Sequence, residues 1–396
     1  MTDKISYSMT NLPQGWEVKK LEDVCKNSSS NLALKDIKNK SGDYPVFGAS
    51  GIVGYIDFYH KNKECLGIVK DGAGVGRVFV LPKNTSVIGT LNYLEALENT
   101  NLKYLFYFLY SIDFSKYILG SAIPHIYFRD YKKEQIPLPP LKEQERIVGI
   151  LDESFAKIDE SIKILEQDLL NLDELMQSAL QKAFNPLKDN AKENYKLPQG
   201  WEWKNLGEIC FITDGTHKTP NYIETGIPFL SVKNISKGFF DLSDVKYISL
   251  EEHNKLIKRA KPEFGDILIC RIGTLGKAIK ISLEFEFSIF VSLGLLKPKV
   301  KIISDYLVYF LNSYFIEGWI NDNKVGGGTH TAKLNLNILE KCPVALPPLK
   351  EQEQIASYLD ELSSHVKNLK QNYQAQIKDL QELKKSLLDK AFKGNL

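Results

Sequence analysis

The chain of 396 residues repeats itself, and this repetition limits its possible folds more than any other feature of the sequence. LPQGWEVKKLEDVC at Leu12–Cys25 returns as LPQGWEWKNLGEIC at Leu197–Cys210. LPPLKEQE at Leu138–Glu145 returns at Leu346–Glu353. The first pair is offset by 185 residues and the second by 208, so the segment between the markers differs in length. The repeat predicts two similar domains with constant frames and different inserts.

Each LPPLKEQE marker is followed by a long helical pattern, because its prolines can stand before a helix or at its start but not inside it. Apolar residues then recur at spacings of three and four, or of seven, which is typical of a coiled coil. At about 1.5 Å per residue, Val148 to Ala183 predicts a rod roughly 54 Å long. The packing positions of the two helices are predicted at Leu151, Ile158, Leu165, Leu172 and Ala179, and at Leu359, Val366, Tyr373, Leu380 and Leu387. Two helices that each pack only on their own domain remain an alternative.

The inserts between the markers indicate mixed α/β domains. Strand-like runs are LGIVK before Asp71, RVFVLP from Arg77 and DILICRIG from Asp266, and apolar helices are predicted at Leu102–Tyr110 and Tyr306–Asn312. A polar stretch with a proline separates the two copies and predicts a linker. The expected segments are a first domain at 1–140, a helix at 141–184, a linker at 185–196, a second domain at 197–348 and a helix at 349–396.

Composition favours a folded, soluble protein, since 43% of the residues are hydrophobic and 25% are charged. We expect a cytoplasmic protein, because the N-terminus has no signal-peptide core and no stretch has about 18 uninterrupted apolar residues. The five cysteines contain no C-x-x-C pair, and the six histidines show no metal-ligand spacing. Buried, reduced thiols and no metal site are therefore expected.

Two glycine-rich segments suggest nucleotide binding but lack the context that it needs. GAGVGR at Gly72–Arg77 is followed by the strand-like Val78–Pro82, whereas a dinucleotide site needs a helix there. IGTLGKA at Ile272–Ala278 is too short for a phosphate loop and has alanine in place of the magnesium-binding hydroxyl. The tetrapeptide Asp/Asn-Pro-Pro-Tyr/Phe of amino-methyltransferases is absent. We predict no catalytic centre, although a triad scattered along the sequence stays open.

The net charge of +2 is a weak indicator of nucleic-acid binding, but its distribution is uneven. Residues 26–137 contain 14 basic and 10 acidic residues, and residues 211–343 contain 17 and 14. Residues 141–184 contain only 5 basic against 10 acidic residues. Both inserts are therefore mildly basic, and charge alone does not identify a DNA-binding protein.

The order and duplication of the motifs resemble the specificity subunit of type I restriction-modification systems, over nearly the whole chain. The resemblance implies two target-recognition domains that each bind one half of a split, asymmetric DNA site. It also implies two spacer helices, packed as an antiparallel coiled coil with pseudo-two-fold symmetry. The motifs that carry the resemblance are the paired L-P-x-G-W-E openings, YPVFGASGIVGYIDFY at Tyr44–Tyr59, TDGTHKTP at Thr213–Pro220, GIPFLSVKNI at Gly226–Ile235 and both LPPLKEQE markers.

The same resemblance implies partners and cofactors outside this chain. Two methyltransferase subunits dock on the spacer helices, and restriction and translocation belong to further subunits. S-adenosylmethionine, ATP and Mg²⁺ are expected on those partners, and this chain contributes the choice of sequence only. A specificity subunit of a related type II-like methylation system, a coiled-coil scaffold that binds protein, and an enzyme with an unrecognised active site remain alternatives.

Candidate DNA contacts combine a hydrogen-bonding side chain with a polar or glycine-rich loop. Any single candidate can equally be a solvated charge or a buried structural group. In the first domain the candidates are Lys70, Arg77, His125, Tyr127 and Arg129. In the second domain they are Thr216, His217, Lys218, Lys233, Asn234, Arg271, Lys277, Thr329, His330 and Lys333.

Overall fold

A computed structural model describes residues 12–38, 40–120, 122–184, 197–327 and 332–396. The chain divides into two compact units, Met1–Glu166 with Gln374–Leu396, and Gln167–Tyr373. Each unit thus combines a globular part with segments of both long helices. We call the globular parts the first head, residues 12–140, and the second head, residues 197–348. The predicted linker 185–196 lies outside the described residues.

The first head contains a four-stranded antiparallel sheet in the order β2-β8-β5-β6, a three-stranded sheet β4-β3-β7 and the pair β1-β9. Strand β5 is buried along its whole length, and helix α3 packs on its sheet. The elements are β1 Glu17–Lys20, α1 Leu21–Val24, β2 Cys25–Ser29, α2 Leu34–Ile37, β3 Tyr44–Gly48, β4 Gly51–Ile56, β5 Cys65–Val69, β6 Val78–Leu81, β7 Ser86–Val87, β8 Leu91–Ala96, α3 Leu102–Ser111, α4 Phe128–Tyr131 and β9 Gln135–Leu138, followed by the long helix α5 Leu141–Ala183.

The second head has the same strand order, with sheets β11-β17-β14-β15 and β13-β12-β16 and the pair β10-β18. Its helix α9 was not predicted from the sequence. The elements are β10 Glu202–Asn205, α6 Leu206–Ile209, β11 Cys210–Asp214, β12 Ile227–Leu230, β13 Lys246–Ile248, α7 Leu250–Leu256, β14 Ile267–Cys270, β15 Ala278–Lys280, β16 Ser288–Ile289, β17 Leu293–Pro298, α8 Ser304–Leu311, α9 Tyr314–Asn323, α10 Leu336–Leu339 and β18 Pro343–Leu346, followed by α11 Leu349–Phe392.

Most local predictions are confirmed. The predicted helices at Leu102–Tyr110 and Tyr306–Asn312 are α3 and α8, and the glycine-rich segment after β5 is a turn between the antiparallel strands β5 and β6. Within that turn Gly76 has a φ of +84°, and a Cβ there would lie 2.8 Å from that of Phe114, so only glycine fits without a rearrangement. All five cysteines are free and buried, and burial raises the pKa of the Cys25 thiol to about 12.

One glutamine in each LPPLKEQE marker has a clear structural role. Gln144 is fully buried at the start of α5, where its side-chain oxygen accepts a hydrogen bond from Asn101 N at 2.7 Å. Its amide nitrogen donates to Pro139 O at 2.8 Å. Gln352 repeats this in the second head, with Ile303 N at 3.0 Å and Pro347 O at 2.8 Å. The marker therefore fixes the start of each long helix against the helix α3 or α8 of its head.

The core of the first head is completed by both long helices. Phe392, at the end of α11, packs edge-on against Tyr104 and Phe108 of α3, with ring centroids 5.3 and 5.4 Å apart. Its neighbours from the start of α5 in the same core include Leu151 and Phe155. The alternative in which each helix packs only on its own head is therefore wrong for this unit.

The second head is completed in the same way by the end of α5. Phe184 packs against Tyr306 and Phe310 of α8, with centroid distances of 5.9 and 5.3 Å. The same core contains Ala179 of α5 and Leu359 of α11. The repeated Ala-Phe pair near the end of each long helix thus closes a head that belongs to the other copy of the repeat.

Within each unit the two long helices run antiparallel. In the first unit Arg146 donates to the carbonyl oxygen of Leu396 at 2.8 Å, and Asp159 pairs with Lys384. Later residues of α5 therefore contact earlier residues of α11. In the second unit Asp173 pairs with Lys370. Of the predicted packing positions, six are buried and four are half-buried: the buried ones are Leu151, Ile158, Leu172, Ala179, Leu359 and Val366, and the half-buried ones are Leu165, Tyr373, Leu380 and Leu387.

Among the helices of the described ranges, none combines the length and apolar content that a membrane crossing requires. The long helices instead alternate apolar and charged residues, as the seam predicted from the sequence requires.

Candidate nucleic-acid interface

An open groove of about 550 Å³ in the first head collects three of its five candidate contacts. The groove lies where β2, β8 and α4 meet the residue that follows β5. The candidates that line it are Lys70, Tyr127 and Arg129. The groove is also lined by residues that were not predicted, namely Glu22, Asn27, Ser29, Asn92, Phe128 and Lys132.

The rim of the groove is aromatic and cationic. The Arg129 guanidinium lies 4.5 Å from the centre of the Tyr127 ring, and the His125 ring lies 5.0 Å from the same ring. Lys70 pairs with its neighbour Asp71, and Arg129, whose side chain is 72% exposed, lies 3.6 Å from the carboxylate of its neighbour Asp130. An exposed cation over an aromatic ring suits contact with phosphates and bases.

Arg77 lies apart from the lining residues of the groove. Its guanidinium Nη1 donates to Ala49 O at 3.0 Å, which ties the β5–β6 turn to the turn after β3. Lys70, His125, Tyr127 and Arg129 therefore lie together in the structure, whereas Arg77 contacts the backbone of Ala49 outside the groove.

Two of the residues that line the groove have a buried side-chain oxygen without a hydrogen-bond partner in the protein. Asn92, only 7% exposed, has a buried Oδ1 with no hydrogen-bond partner, and the same holds for Oδ1 of Asn27. A buried acceptor without a donor costs free energy, commonly about 1–3 kcal/mol. Both oxygens are shielded from solvent, so a buried water or a rotation of the side-chain amides would have to supply the donor.

In the second head the candidates surround Asp214, a buried carboxylate at the end of β11. Asp214 pairs with Arg271 and Arg259 and accepts from His217 Nε2 at 3.1 Å. Arg271 is 8% exposed and also donates from Nε to Leu334 O at 2.9 Å. The Arg271 guanidinium is thus committed inside the head, whereas the His217 side chain is 62% exposed.

Electrostatics favour the charged form of Asp214. Burial alone raises the pKa of this carboxyl, but the hydrogen bond from Arg259 and the charge of Arg271 outweigh it and lower the pKa below 3.8. Two guanidinium groups face one carboxylate, so the cluster retains a positive charge. That charge is presented through Arg259, whose side chain is 56% exposed.

The remaining candidates of the second head occupy several places. Asn234 is buried, and its side-chain Nδ2 donates to Asp241 O at 3.0 Å. Lys277 lines a cavity of about 430 Å³. Asn321 of α9 and Lys324, which follows α9, line the same cavity. Thr216, half-buried, accepts from the backbone N of Lys218 at 3.2 Å. The exposed candidates are His217, Lys218 and Lys333 on loops and Lys233 in the short 3-10 helix Val232–Asn234. Thr329 and His330 lie outside the described residues.

Sequence reasoning missed the asparagines that line the first groove and the acid of the second cluster. Asn27 and Asn92 belong to strands, and nothing in the sequence indicates that they meet across a sheet. Asp214 stands in the quoted TDGTHKTP motif, where the acid beside His217 was an available signal. Arg259, 45 residues further along, has no such signal.

A family model described as type I restriction modification DNA specificity domain matches residues 13–169 and 198–379. Those two ranges cover most of the chain and correspond to the two copies of the repeat. The chain belongs to this family. The resemblance that the duplicated motifs carry is therefore confirmed.

Relatives in this specificity-domain family are named specificity subunits. The subunit of the type I restriction enzyme EcoBI from Escherichia coli is 27% identical over 295 residues, which is 69% of this chain and 61% of that subunit. The chain thus spans less than two thirds of the EcoBI subunit. The MjaVIII specificity subunit from Methanocaldococcus jannaschii is 23% identical over 410 residues, 97% of this chain and 94% of that subunit.

Among solved structures, one concerned with complex assembly and conformational transition of the type I R-M system has a TM-score of 0.77. It is 23% identical in sequence and covers 99% of this chain and 100% of its own. At this level of identity the likeness shows a shared fold. The mixed α/β fold with two repeated domains and long helices is thereby confirmed.

Proposed function

We propose that this chain is the DNA-recognition subunit of a type I restriction-modification complex in the cytoplasm. Each head recognises one half of a bipartite, asymmetric site in double-stranded DNA. The observation that carries the proposal is that two heads with the same strand order present different polar groups, an open groove lined by Lys70 and Arg129 in the first and a cluster around Asp214 in the second. Equal frames with unequal contact groups suit a site whose halves differ in sequence.

The long helices provide the spacing in this proposal. α5 has 43 residues and α11 has 44, and at about 1.5 Å per residue each extends roughly 65 Å. One turn of B-DNA is about 34 Å, so a helix of this length is longer than the distance between half-sites one turn apart. A fixed spacer in the protein then gives a fixed gap in the DNA site.

The chemistry belongs to partner subunits. Two methyltransferase subunits dock on the helices and use S-adenosylmethionine, and restriction subunits use ATP and Mg²⁺. The names of the relatives, which are specificity subunits, support this division. The purified chain alone therefore transfers no methyl groups to DNA, and activity appears only when the methyltransferase partner is added.

The decisive experiment is to map methylated adenines in the genome of the host, with and without this gene. The expected result is a split motif with a constant gap that disappears on deletion. Exchange of residues 26–137 for the corresponding insert of another family member is expected to change one half of the motif, because the second head is untouched.

Two results would contradict the proposal. One is a genome whose methylation does not depend on this gene while its partner genes are expressed. The other is an exchanged chain that alters both halves of the motif, since independent heads cannot produce that outcome.

A further inference from the structure

Arg259 is an exposed arginine of the second head that no sequence motif indicates. It lies in the turn after α7, and its side chain is 56% exposed. Its neighbour Ala260 is 4% exposed and belongs to a hydrophobic core of this head. Arg259 N and Ala260 N both donate to Leu256 O, at 3.1 and 3.2 Å. The backbone that carries Arg259 is therefore fixed to the end of α7.

Helix α7 is itself anchored to the three-stranded sheet of this head. Ser249 caps the helix by accepting from Glu252 N at 3.2 Å. His253, 1% exposed, is hydrogen-bonded through Nδ1 to the hydroxyl of Ser288 on β16 at 2.9 Å. An anchored element thus carries Arg259. In the corresponding place of the first head, between β4 and β5, the described chain forms no helix.

One edge of the Arg259 guanidinium is bound to Asp214. Nε donates to the carbonyl oxygen of Asp214 at 3.2 Å, and Nη2 is hydrogen-bonded to the carboxylate oxygen Oδ1. The N–H of Nε and one N–H of Nη2 point to the same side of the planar group, so both bonds use that edge. Two hydrogen bonds to one residue fix the plane of the guanidinium.

The second edge of this guanidinium, between Nη1 and Nη2, is open. Within the described ranges Nη1 of Arg259 donates to no acceptor. The edge lies at the tip of a side chain that is 56% exposed, in contrast to the 2% exposed carboxylate that holds it. It can therefore bind a ligand that offers two neighbouring acceptors.

The charge of the Asp214 cluster favours a base over a phosphate as that ligand. Asp214 also pairs with Arg271, which is 8% exposed and donates to Leu334 O at 2.9 Å. One carboxylate thus faces two guanidinium groups, and the cluster keeps one positive charge instead of two. A phosphate is bound largely through net charge, whereas a base edge is recognised by the direction of the donors. Pairing with Asp214 reduces the charge and fixes the direction.

The first head has no carboxylate at the matched position. Asp214 ends β11, and Ser29, 185 residues earlier, ends β2. The offset of 185 is that of the repeated markers at the start of both heads. The pair of Asp214 and Arg259 is therefore a difference between the heads, as expected of a group that determines the sequence of one half-site.

We infer that Arg259 recognises a guanine in the half-site of the second head and that Asp214 positions it. This inference rests on the proposed function and names one base of that half-site. Guanine presents two neighbouring acceptors, O6 and N7, in the major groove, and the open edge of Arg259 supplies two donors to them. Adenine places an amino donor beside N7, so it would set a donor against a donor.

The first test maps methylation in the host with the full-length chain and its methyltransferase partners. The half-site of the second head is the one that the exchange of residues 26–137 leaves unchanged. Arg259→Ala is expected to relax the motif at one G·C pair of this half-site and to leave the other half as it is. Asp214 keeps Arg271 as a partner in this variant, so we expect it to fold. A thermal unfolding midpoint equal to that of the wild type checks the fold.

Arg259→Lys separates a guanine contact from a phosphate contact. Lysine keeps the positive charge but has a single ammonium group, which cannot be held by Asp214 and also present a second planar edge. We expect Arg259→Lys to lose the preference for guanine, as Arg259→Ala does. At a phosphate contact lysine would be tolerated, and Arg259→Ala would weaken binding to all duplexes alike and reduce the salt slope of binding by about one unit. That result would overturn the inference.

Lys258→Ala is the matched control. Lys258 precedes Arg259 in the same turn, carries the same charge and is exposed, and it pairs with no carboxylate of the described chain. The variant should leave every position of the motif unchanged.

A second measurement uses the purified wild-type complex and synthetic duplexes, so it does not depend on the folding of any variant. Replacement of the identified G·C pair by A·T is expected to reduce affinity roughly 5- to 150-fold, the factor that corresponds to a bidentate contact. Replacement of the same guanine by 7-deazaguanine, which lacks the N7 acceptor, should also reduce affinity. The Arg259→Ala complex is expected to bind all three duplexes equally.

The inference is overturned if the folded Arg259→Ala complex keeps its preference at every G·C pair, if 7-deazaguanine at each guanine in turn leaves wild-type binding unchanged, or if the half-site contains no G·C pair. These outcomes leave the proposed function standing, because the split motif is still present. If the wild-type gene directs no split motif, the proposed function fails first, and this inference fails with it.

Discussion

At the scale of single residues, Asp214 is the group on which the contact surface of the second head depends. It holds Arg271 inside the head and positions the exposed His217 and Arg259 side chains from one buried carboxylate. Removing a partner from a buried pair leaves an uncompensated charge, which is more costly than the net value of the pair. Asp214 therefore supports both the stability and the surface of this head.

We predict that Asp214→Ala lowers the free energy of unfolding of the second head's unit by about 3–5 kcal/mol at neutral pH, because the buried Arg271 charge loses its partner. Urea unfolding of the full chain measures the change. Asp244→Ala is the control, since Asp244 is 76% exposed and pairs with Lys246 at 3.5 Å, and we expect less than about 1 kcal/mol there.

The lowered pKa of Asp214 also gives a pH dependence with a definite sign. A carboxyl whose pKa is lower in the folded state stabilises the fold above its unfolded pKa, near 4, and loses this contribution as the pH falls through its folded pKa. Between about pH 5 and the folded pKa, wild-type stability should therefore fall more steeply than that of Asp214→Asn. Parallel curves for the two proteins would refute this assignment.

At the scale of elements, each long helix begins on one head and ends on the other copy's head. Gln144 and Gln352 fix the starts through backbone groups, and Phe184 and Phe392 close the ends through aromatic packing. These four residues explain why the markers at both ends of the helix recur at the same offset.

We expect Phe392→Ala to destabilise the first head's unit by about 3–5 kcal/mol, since a fully buried ring leaves a cavity beside Tyr104 and Phe108. Phe184→Ala should have a similar effect on the second. Differential scanning calorimetry of the full chain detects which transition moves. Leu170→Ala, on a 58% exposed side chain of α5, is expected to change stability by less than about 0.5 kcal/mol. A Phe392→Ala chain as stable as Leu170→Ala would contradict this view of the helix ends.

The sequence was sufficient for the elements that depend on local patterns. The heptads after Pro140 and Pro348 predicted α5 and α11, and the run from Leu102 predicted α3, because periodicity and prolines act over short distances. α9 was missed because Tyr314–Asn323 contains a glycine and mixed polar residues without a clear apolar stripe. Asn92 was missed because its neighbours on β2 are set by strand pairing across a long separation, which no local pattern encodes. Arg259 was missed because its contact joins the turn after α7 to the end of β11, 45 residues earlier.

At the scale of the whole molecule, the repeat makes each half of the chain incomplete by itself. Residues 1–196 contain the first head and α5 but lack Leu388, Ala391 and Phe392 of its core. They do contain Ala183 and Phe184, which are the counterparts of Ala391 and Phe392, 208 residues later in the sequence. The partners of Phe184 in the full chain, Tyr306 and Phe310, correspond to Tyr104 and Phe108 in the first head.

We therefore predict that residues 1–196, produced alone, form a homodimer in which the end of α5 from each copy fills the core of the other. An isologous pair of this kind closes with two-fold symmetry, since each copy gives and receives the same residues. Sedimentation equilibrium should report twice the mass of the fragment. Phe184→Ala should abolish the dimer and the folded state together, because the ring that completes the core is then absent from both copies. A folded, monomeric fragment would show instead that the first head does not need the end of a second helix.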